Sequence, residues 1–427
     1  MIIRKTFWAI GVIFVGSILG VLITRAGVYY RLIYLCLMLV AISWVWARIS
    51  VSRVTVQRTS RGFRQQLGQV FEEQFSISNQ FKFTKPWIEV IDGSGLPGSG
   101  STRILSWIKA NSVRNYSGYT LLSRRGEFSL SPTILYSGDP FGLFAFRKVI
   151  DTRARLLVLP YLCEIRDFPL PSGRLPGGLA VRRRTPEVEP PRAAGVREWA
   201  PGDSLNRIHW PTTARRDRMM VKEFEQDPQA DIWIFLDSQR DVQIKTKDAE
   251  FIDELEQIPL WWLNRSEFKL PADTFEYSVS IAGTIAKYFS RREQVVGFAC
   301  AGQKRVVLSS ERGERQLSKI LETLAVLNSE GMTPLVSLIE SQVAFVPKGS
   351  TVVVITPSGD KSIMGGIASL VRRGLRPVVV LIDPSSFGAY YKLDALISEL
   401  QSWRIPYNVI KYGDDLRLSL EKGFSGI

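Results

Sequence analysis

Residues 195–225 read GVREWAPGDSLNRIHWPTTARRDRMMVKEFE, and the rest of the chain is organised around them. The stretch concentrates Arg197, Glu198, Trp199, Gly202, Asp203, Arg207, His209, Trp210, Arg215 and Arg216. It holds the single histidine and two of the eleven tryptophans. Pro201-Gly202 is turn chemistry, and Asp203 or Ser204 can cap a short helix after it. Residues 205–210 then make about one and a half helical turns before Pro211 stops them. Thr212 or Thr213 can cap a second short turn through Arg215, and 219–224 reads as a weak strand. Arginines beside tryptophans and acids form bidentate pairs and cation–π stacks that fix a backbone in one geometry. The stretch is therefore either a polar latch that locks two domains together or a surface that recognises an acidic partner.

The string R-E-W-x-P-G-D-S-x-x-x-I-H-W-x-x-x-A-R, from Arg197 to Arg215 and on to Val221-Lys222-Glu223-Phe224-Glu225, resembles the signature of the DUF58 family. Two further marks precede it in the family's order: Arg125-Gly126-Glu127-Phe128 and Asp139-Pro140-Phe141-Gly142-Leu143-Phe144. The resemblance covers roughly residues 1–410. It implies a membrane-tethered bacterial or archaeal protein whose C-terminal half is similar to a von Willebrand factor A domain. It also implies a working relationship with a MoxR-type AAA+ ATPase and with a transglutaminase-like membrane protein. It supplies no activity.

At 427 residues the chain has room for two or three domains. Its charge is unevenly spread. The first 64 residues hold nine of the 55 Lys and Arg and no acid, which leaves 46 basic against 41 acidic residues beyond them. The net +14 is therefore mostly N-terminal, which favours anionic lipid headgroups over nucleic acid as the partner. Cys36, Cys163 and Cys300 have neither metal-ligand spacing nor a disulfide framework, which fits a reducing compartment.

Residues 7–24 and 32–47 are uncharged and predict two spanning helices with aromatic ends, joined by a hairpin at 25–31. Arg4, Lys5, Arg48, Arg53, Arg58, Arg61 and Arg64 lie on one side of it, and Arg25 and Arg31 on the other. The positive-inside rule puts both ends, and the soluble portion, in the cytoplasm. From 51 to 159, alternating runs such as 70–77 and 87–91 broken by Gly/Ser/Pro clusters predict an antiparallel β-sandwich. The family-like marks at 125–128 and 139–144 read there as turns, the second presenting Phe141 and Phe144 to a core or a neighbouring domain. Pro- and Gly-rich 161–194, with Arg182-Arg183-Arg184, predicts a linker.

After the opening stretch the pattern turns α/β. Strands are expected at 230–236, 294–300, 304–308, 351–356, 377–382 and 407–411, with helices at 274–290, 314–327, 333–343, 362–373 and 391–403. Such alternation calls for right-handed crossovers and a mostly parallel sheet covered on both faces. An insertion at 241–272, with Pro259, Trp261 and Trp262, reads as an irregular lobe at the sheet's C-terminal edge.

Ligands of open α/β sheets bind beyond the carboxyl ends of the strands. A von Willebrand A domain holds a divalent ion there through D-x-S-x-S. This chain offers Asp237, then Gln239 and Asp241 where the serines belong, with Arg240 between them, so Mg2+ binding is at most a degenerate remnant. Asp237 would otherwise cap its own turn and pair with Arg240 or a latch arginine. Thr356 and Asp383 fall at the same edge. A hydrolase built on Asp203, His209 and Arg215 is the enzymatic alternative. No G-x-S-x-G, Walker A, H-E-x-x-H or C-x-x-C motif occurs anywhere in the chain.

The expected protein is therefore α+β and multidomain: a transmembrane hairpin (1–50), an antiparallel β-sandwich (51–160), a linker (161–194), the signature segment (195–229) and a von Willebrand A-like, Rossmann-like α/β domain (230–427). The expected role is a membrane-anchored adaptor without catalytic residues, acting with the ATPase in assembly or maturation of protein complexes.

Overall fold

The computed structural model describes residues 2–3, 5–151, 154–170, 193–200, 208–224, 231–246 and 268–425, with backbone alone at 2–3, 5, 193–197 and 222–224. It is a mixed α/β molecule with two apolar N-terminal helices and several sheets. The expected insertion at 241–272 and the arginine triplet at 182–184 lie largely or wholly outside the described residues.

A short strand β1 (Ile2–Ile3) leads into α1 (Lys5–Thr24) and α2 (Gly27–Val51). Both helices are long and apolar enough to cross a membrane. Only Arg25 and Ala26 separate them, not the seven residues expected, because α2 takes in Tyr29, Tyr30 and Arg31 as its first turns. Gly20 permits the pairing: a Cβ there would lie 2.5 Å from the Tyr29 ring.

The next strands are β2 (Val54–Ser60), β3 (Arg64–Gln66), β4 (Val70–Asn79), β5 (Lys85–Asp92), β6 (Arg103–Ile108), β7 (Ser112–Leu121), β8 (Gly126–Ser129), β9 (Thr133–Gly138), β10 (Phe144–Ile150) and β11 (Arg155–Leu159). They form three sheets, ordered β1-β10-β9-β5-β6, β2-β4-β7 and β3-β11-β8. Period-2 alternation drives the pairing. In β4, Phe71, Glu73, Phe75, Ile77 and Asn79 are buried in turn. Val56, Phe75 and Ile77 meet Ile88, Val90, Leu105 and Leu135 in a core shared by the first two sheets.

Glu73 points into that core and needs a partner. Arg58 supplies it, with Nε 2.6 Å from Glu73 and Nη1 3.0 Å from Asp92, and with its guanidinium over the Phe75 ring. By sequence Arg58 belongs with the cations flanking the helices. Its side chain is instead buried between two carboxylates, so it is withdrawn from any lipid surface.

The signature segment contributes β12 (Ala193–Glu198), α3 (Trp210–Arg216) and β13 (Met220–Phe224), with β12 and β13 paired antiparallel. The α/β half then runs β14 (Ile232–Leu236), α4 (Thr274–Arg291), β15 (Val296–Ala301), β16 (Arg305–Glu311), α5 (Glu314–Val326), α6 (Leu335–Gln342), β17 (Thr351–Thr356), α7 (Ile363–Arg372), β18 (Arg376–Ile382), α8 (Asp394–Ser402), β19 (Tyr407–Ile410) and α9 (Leu416–Glu421). The sheet order is β16-β15-β14-β17-β18-β19, parallel except at β15–β16. Central strands β14 and β17 are buried along their whole length, as a sheet covered on both faces requires. The helix expected from 391 starts at Asp394. Helix α9 has no counterpart among the expected elements, although Asp415 caps it by accepting from the Arg417 and Leu418 amides.

Residues 161–170 differ from expectation. They are no linker but a strap bound along α4. The Cys163 amide donates to Thr284 Oγ1 at 3.3 Å, and the Phe168 amide to Tyr288 Oη at 3.0 Å. Phe168 packs edge-on to Phe289 and Phe424. Gly283 makes room for the strap, since a Cβ there would stand 2.7 Å from Leu162.

The sheet β3-β11-β8 faces α4 and α5, and one continuous core crosses the boundary between the halves. Leu67, Phe71, Leu122, Leu130, Leu156 and Val158 on one side join Phe275, Ile285 and Leu321 on the other.

Arg58→Met tests the buried network. It strands two carboxylates, and we expect a loss of about 3–5 kcal/mol in unfolding free energy, read by urea titration in detergent micelles. A loss under about 1 kcal/mol would mean that solvent or another cation already serves those carboxylates.

Candidate functional site

Three places in the structure gather chemistry. The first is the signature segment. The Trp199 amide donates to the Met219 carbonyl (2.8 Å) and the His209 amide to Met220 (2.8 Å), so the chain entering α3 is stitched to the start of β13. Thr213 Oγ1 accepts from the Met220 amide at 3.0 Å, and His209 Nδ1 lies 2.7 Å from Thr212 Oγ1. Ile208, Met220 and Val221 are buried beneath this clasp. Trp210 is 67% exposed, and Arg215 and Arg216 are exposed beside it on the short helix α3. Glu198 pairs with Arg218 at 3.2 Å on the surface. The side chain of Arg197, and all of Gly202, Asp203 and Arg207, lie outside the described residues. For the hydrolase alternative, His209 thus has one ring nitrogen on Thr212, Arg215 faces solvent, and the third member is not described.

The second place is the sheet's carboxyl edge between β14 and β17, where the strand order reverses. There Asp237 is nearly fully buried. Its Oδ2 accepts from Thr356 Oγ1 at 2.6 Å and its Oδ1 from the Gln239 amide at 3.1 Å. The carboxylate thus caps its own turn, as expected, but its second partner is Thr356 and not Arg240, which is exposed. Burial, with no cation beside it among the described residues, pushes the Asp237 carboxyl up to about 6. Gln239 is half-buried and Asp241 is exposed in a one-turn 3-10 helix. Among the described residues no three His, Cys, Asp or Glu side chains cluster as a metal centre would require. The donor set does not fit a compact octahedral ion, because a longer amide and a solvent-facing carboxylate stand where short hydroxyl ligands are needed. Asp383 caps its own turn through the Ser385 amide (3.0 Å) and hydroxyl (2.6 Å).

The third place is one that the sequence marks only as a turn. Arg125, a turn residue by its Gly neighbour, is buried at the seam between the halves. Its Nε donates to the Leu324 carbonyl (3.1 Å) and its Nη2 to Leu327 (2.7 Å), at the C-terminal end of α5. It also forms an ion pair with Glu276 and stacks over the Phe275 ring at 5.1 Å. A polar cleft of about 680 Å³ opens beside it, lined by Arg124, Lys245, Asp273, Glu276, Asn328 and Glu330 among others. Desolvation raises both Asp273 and Glu276, with Arg125 opposing the shift in each case. The signal in the sequence was the Arg-Gly pair itself: Gly126 takes φ +137, a conformation that turns the chain sharply beside Arg125.

Cys163 and Cys300 are not poised for reaction. Burial pushes the Cys300 thiol up to about 12 and also raises Cys163, so both stay protonated.

With this geometry in place, the family comparison falls on the signature segment. Residues 195–258 match the family model described as "Protein of unknown function DUF58". A curated relative, "Uncharacterized protein YeaD" of Bacillus subtilis (strain 168), is 22% identical over 253 residues. Together these support a DUF58 family protein. The alignment covers 58% of this chain and 54% of the relative, so the chain spans about half the length of the curated protein it matches. Among solved structures, the CARDB domain of PF1109 from Pyrococcus furiosus aligns over 25% of this chain and 94% of its own at 9% identity, with a TM-score of 0.17. A GH20 exo-β-N-acetylglucosaminidase from Vibrio harveyi covers 84% of this chain and 81% of its own at 7% identity, with a TM-score of 0.18. Scores this low carry no argument about fold or activity.

The buried Asp237 sets a pH test. Its folded-state pKa, about 6, lies above the ordinary 3.8, so protonation stabilises the native state. That contribution is complete at low pH and is lost as pH rises through about 6. Asp237→Asn keeps an acceptor for the Gln239 amide. It should raise stability at pH 7.5 by roughly 1–3 kcal/mol and flatten the profile between about pH 4 and 6. Thermal melts of both proteins across that range check it; lower stability of the variant at pH 7.5 would show a needed charge.

Proposed function

We propose that this chain is a membrane-anchored, non-enzymatic adaptor of the DUF58 family that works with a MoxR-type AAA+ ATPase in assembly or maturation of protein complexes. In this reading α1 and α2 span the bilayer. The half built from β1–β11, called the double-sheet half after the two sheets that share one core, is a cytosolic β-sandwich, and the α/β half is a von Willebrand A-like domain with a degraded metal loop. The sheet order with one antiparallel strand beside the parallel set supports that last assignment. The excess of arginines at the ends of the hairpin over its connection supports the cytoplasmic side. A transglutaminase-like membrane protein belongs to the same picture as a second partner, and nucleic acid does not.

The observation that carries the reading is the display of Trp210, Arg215 and Arg216, all exposed on one short helix whose backbone is clamped by Thr213 and His209. Tryptophan and arginine dominate binding hot spots, because each offers a large contact area with fixed geometry. A rigid cationic-aromatic knob of this kind suits an acidic groove on a partner better than it suits bond-making, for which the described residues offer only the His209–Thr212 contact and no carboxylate on the ring's other nitrogen.

The test is in-cell crosslinking followed by recovery of the tagged full chain from native membranes. An AAA+ ATPase should be recovered with the parent protein. It should be lost with Trp210→Ala/Arg215→Glu, whose melting temperature stays unchanged. Recovery of no ATPase, or equal recovery with the variant, would sink the reading.

A further inference from the structure

One end of the double-sheet half carries large exposed rings that the adaptor reading does not use. The Thr6 hydroxyl, in the first turn of α1, donates to the Gly142 carbonyl. Leu143 and Phe144 pack against Phe7, Ile10, Leu39 and Val40 of the two apolar helices. The turn at 139–144 therefore sits at the depth of the first turns of α1. Asp139 pins it, accepting from the Phe141, Leu143 and Phe144 amides. Phe141, at the tip, is left 56% exposed.

The same end of the sheets holds two more rings. Lys85, at the start of β5, reaches the Ile49 carbonyl in the last turn of α2, the negative end of that helix. Ile108, at the end of β6, is its partner in the sheet. The segments at these two residues read Phe81-Lys82-Phe83-Thr84 and, from the end of β6 onward, Trp107-Ile108-Lys109-Ala110-Asn111, without an acid in either. Asn79 staples them together, its Nδ2 donating to the Phe83 and Lys109 carbonyls at 3.0 Å each. Phe83 is 67% exposed and Trp107 73% exposed, with Lys82 and Lys109 exposed beside them. Trp107 also holds φ +55, a left-handed conformation that a bulky side chain seldom adopts.

Exposed rings alternating with lysines are unfavourable toward bulk water. They are favourable where apolar tails give way to anionic phosphates, because each ring then has an apolar neighbour and each ammonium a counter-charge. We propose that this end of the double-sheet half docks in the headgroup layer of the bilayer. Phe83, Trp107 and Phe141 are its interfacial anchors, and Lys82 and Lys109 face anionic lipid. The proposal rests on α1 and α2 spanning the membrane. It adds contacts beyond them that fix the tilt of the soluble body against the surface.

The experiment uses the full chain in vesicles of phosphatidylcholine and phosphatidylglycerol. An environment-sensitive fluorophore is attached to Phe83→Cys, Trp107→Cys or Phe141→Cys, to Ile13→Cys within α1, and to Met332→Cys, exposed in the α/β half between α5 and α6; the unsubstituted chain gives the native-thiol background. Headgroup spin labels should quench positions 83, 107 and 141, acyl-chain spin labels should quench 13, and neither should touch 332. Quenching at 13 with 83, 107 and 141 no more affected than 332 would overturn the docking while leaving the spanning helices in place. An unquenched label at 13 would fail the spanning reading, and this proposal with it. A blue-shifted emission at 107 without lipid quenching would mean a protein neighbour covers the rings, which also overturns it.

Discussion

Arg125 is the interaction on which the arrangement of the two halves depends. One guanidinium from the double-sheet half satisfies the Leu324 and Leu327 carbonyls at the end of α5, pairs with Glu276 on α4, and covers Phe275. The last carbonyls of a helix have no partner of their own, and a cation suits the negative end of its dipole. Magnitudes separate what this residue does from what holds the halves together. The seam buries Leu67, Phe71, Leu122, Leu130, Leu156 and Val158 against the α/β half, and each such side chain contributes about 1.5–3 kcal/mol. A buried ion pair has a small net worth once desolvation is counted. The apolar seam therefore supplies the adhesion, and Arg125 supplies the orientation.

That division explains how the proposed membrane end and the proposed docking end can belong to one body. The first sheet lies against α1 and α2 through the turn at 139–144, the third sheet lies against α4 and α5, and the strap at 161–170 ties the chain along α4 again. The buried Arg58–Glu73–Asp92 group fastens β2 and β4 of the second sheet to β5 of the first. The signature ribbon stands apart in character: its clasp is local, through Thr213 and His209, and Arg215 and Arg216 face outward.

Much of this was legible in the residues. The α/β alternation was plain because strands buried on both faces read as uninterrupted apolar runs, as in Ile232-Trp233-Ile234-Phe235-Leu236. The strands of the N-terminal sheets showed through period 2 for the complementary reason, one face in and one out. Arg58 and Arg125 mislead because charge is usually solvated, and nothing local to either residue reveals that Glu73, Asp92 or Glu276 waits across the fold. The strap is hidden because prolines and glycines nearby suggest a linker, while its anchors Thr284 and Tyr288 lie more than a hundred residues on. The Asp237 turn falls at the sheet edge as the sequence implies, but its threonine partner comes from another strand.

The most direct test of Arg125 as the orienting contact is a spin–spin distance between labels at Ile104→Cys on β6 and Ser398→Cys on α8, in the full chain in detergent. The parent should give one narrow distance distribution. Arg125→Ala should broaden it markedly while the protein remains folded, since the apolar seam persists without its guide. A distribution as narrow in the variant as in the parent would contradict the account.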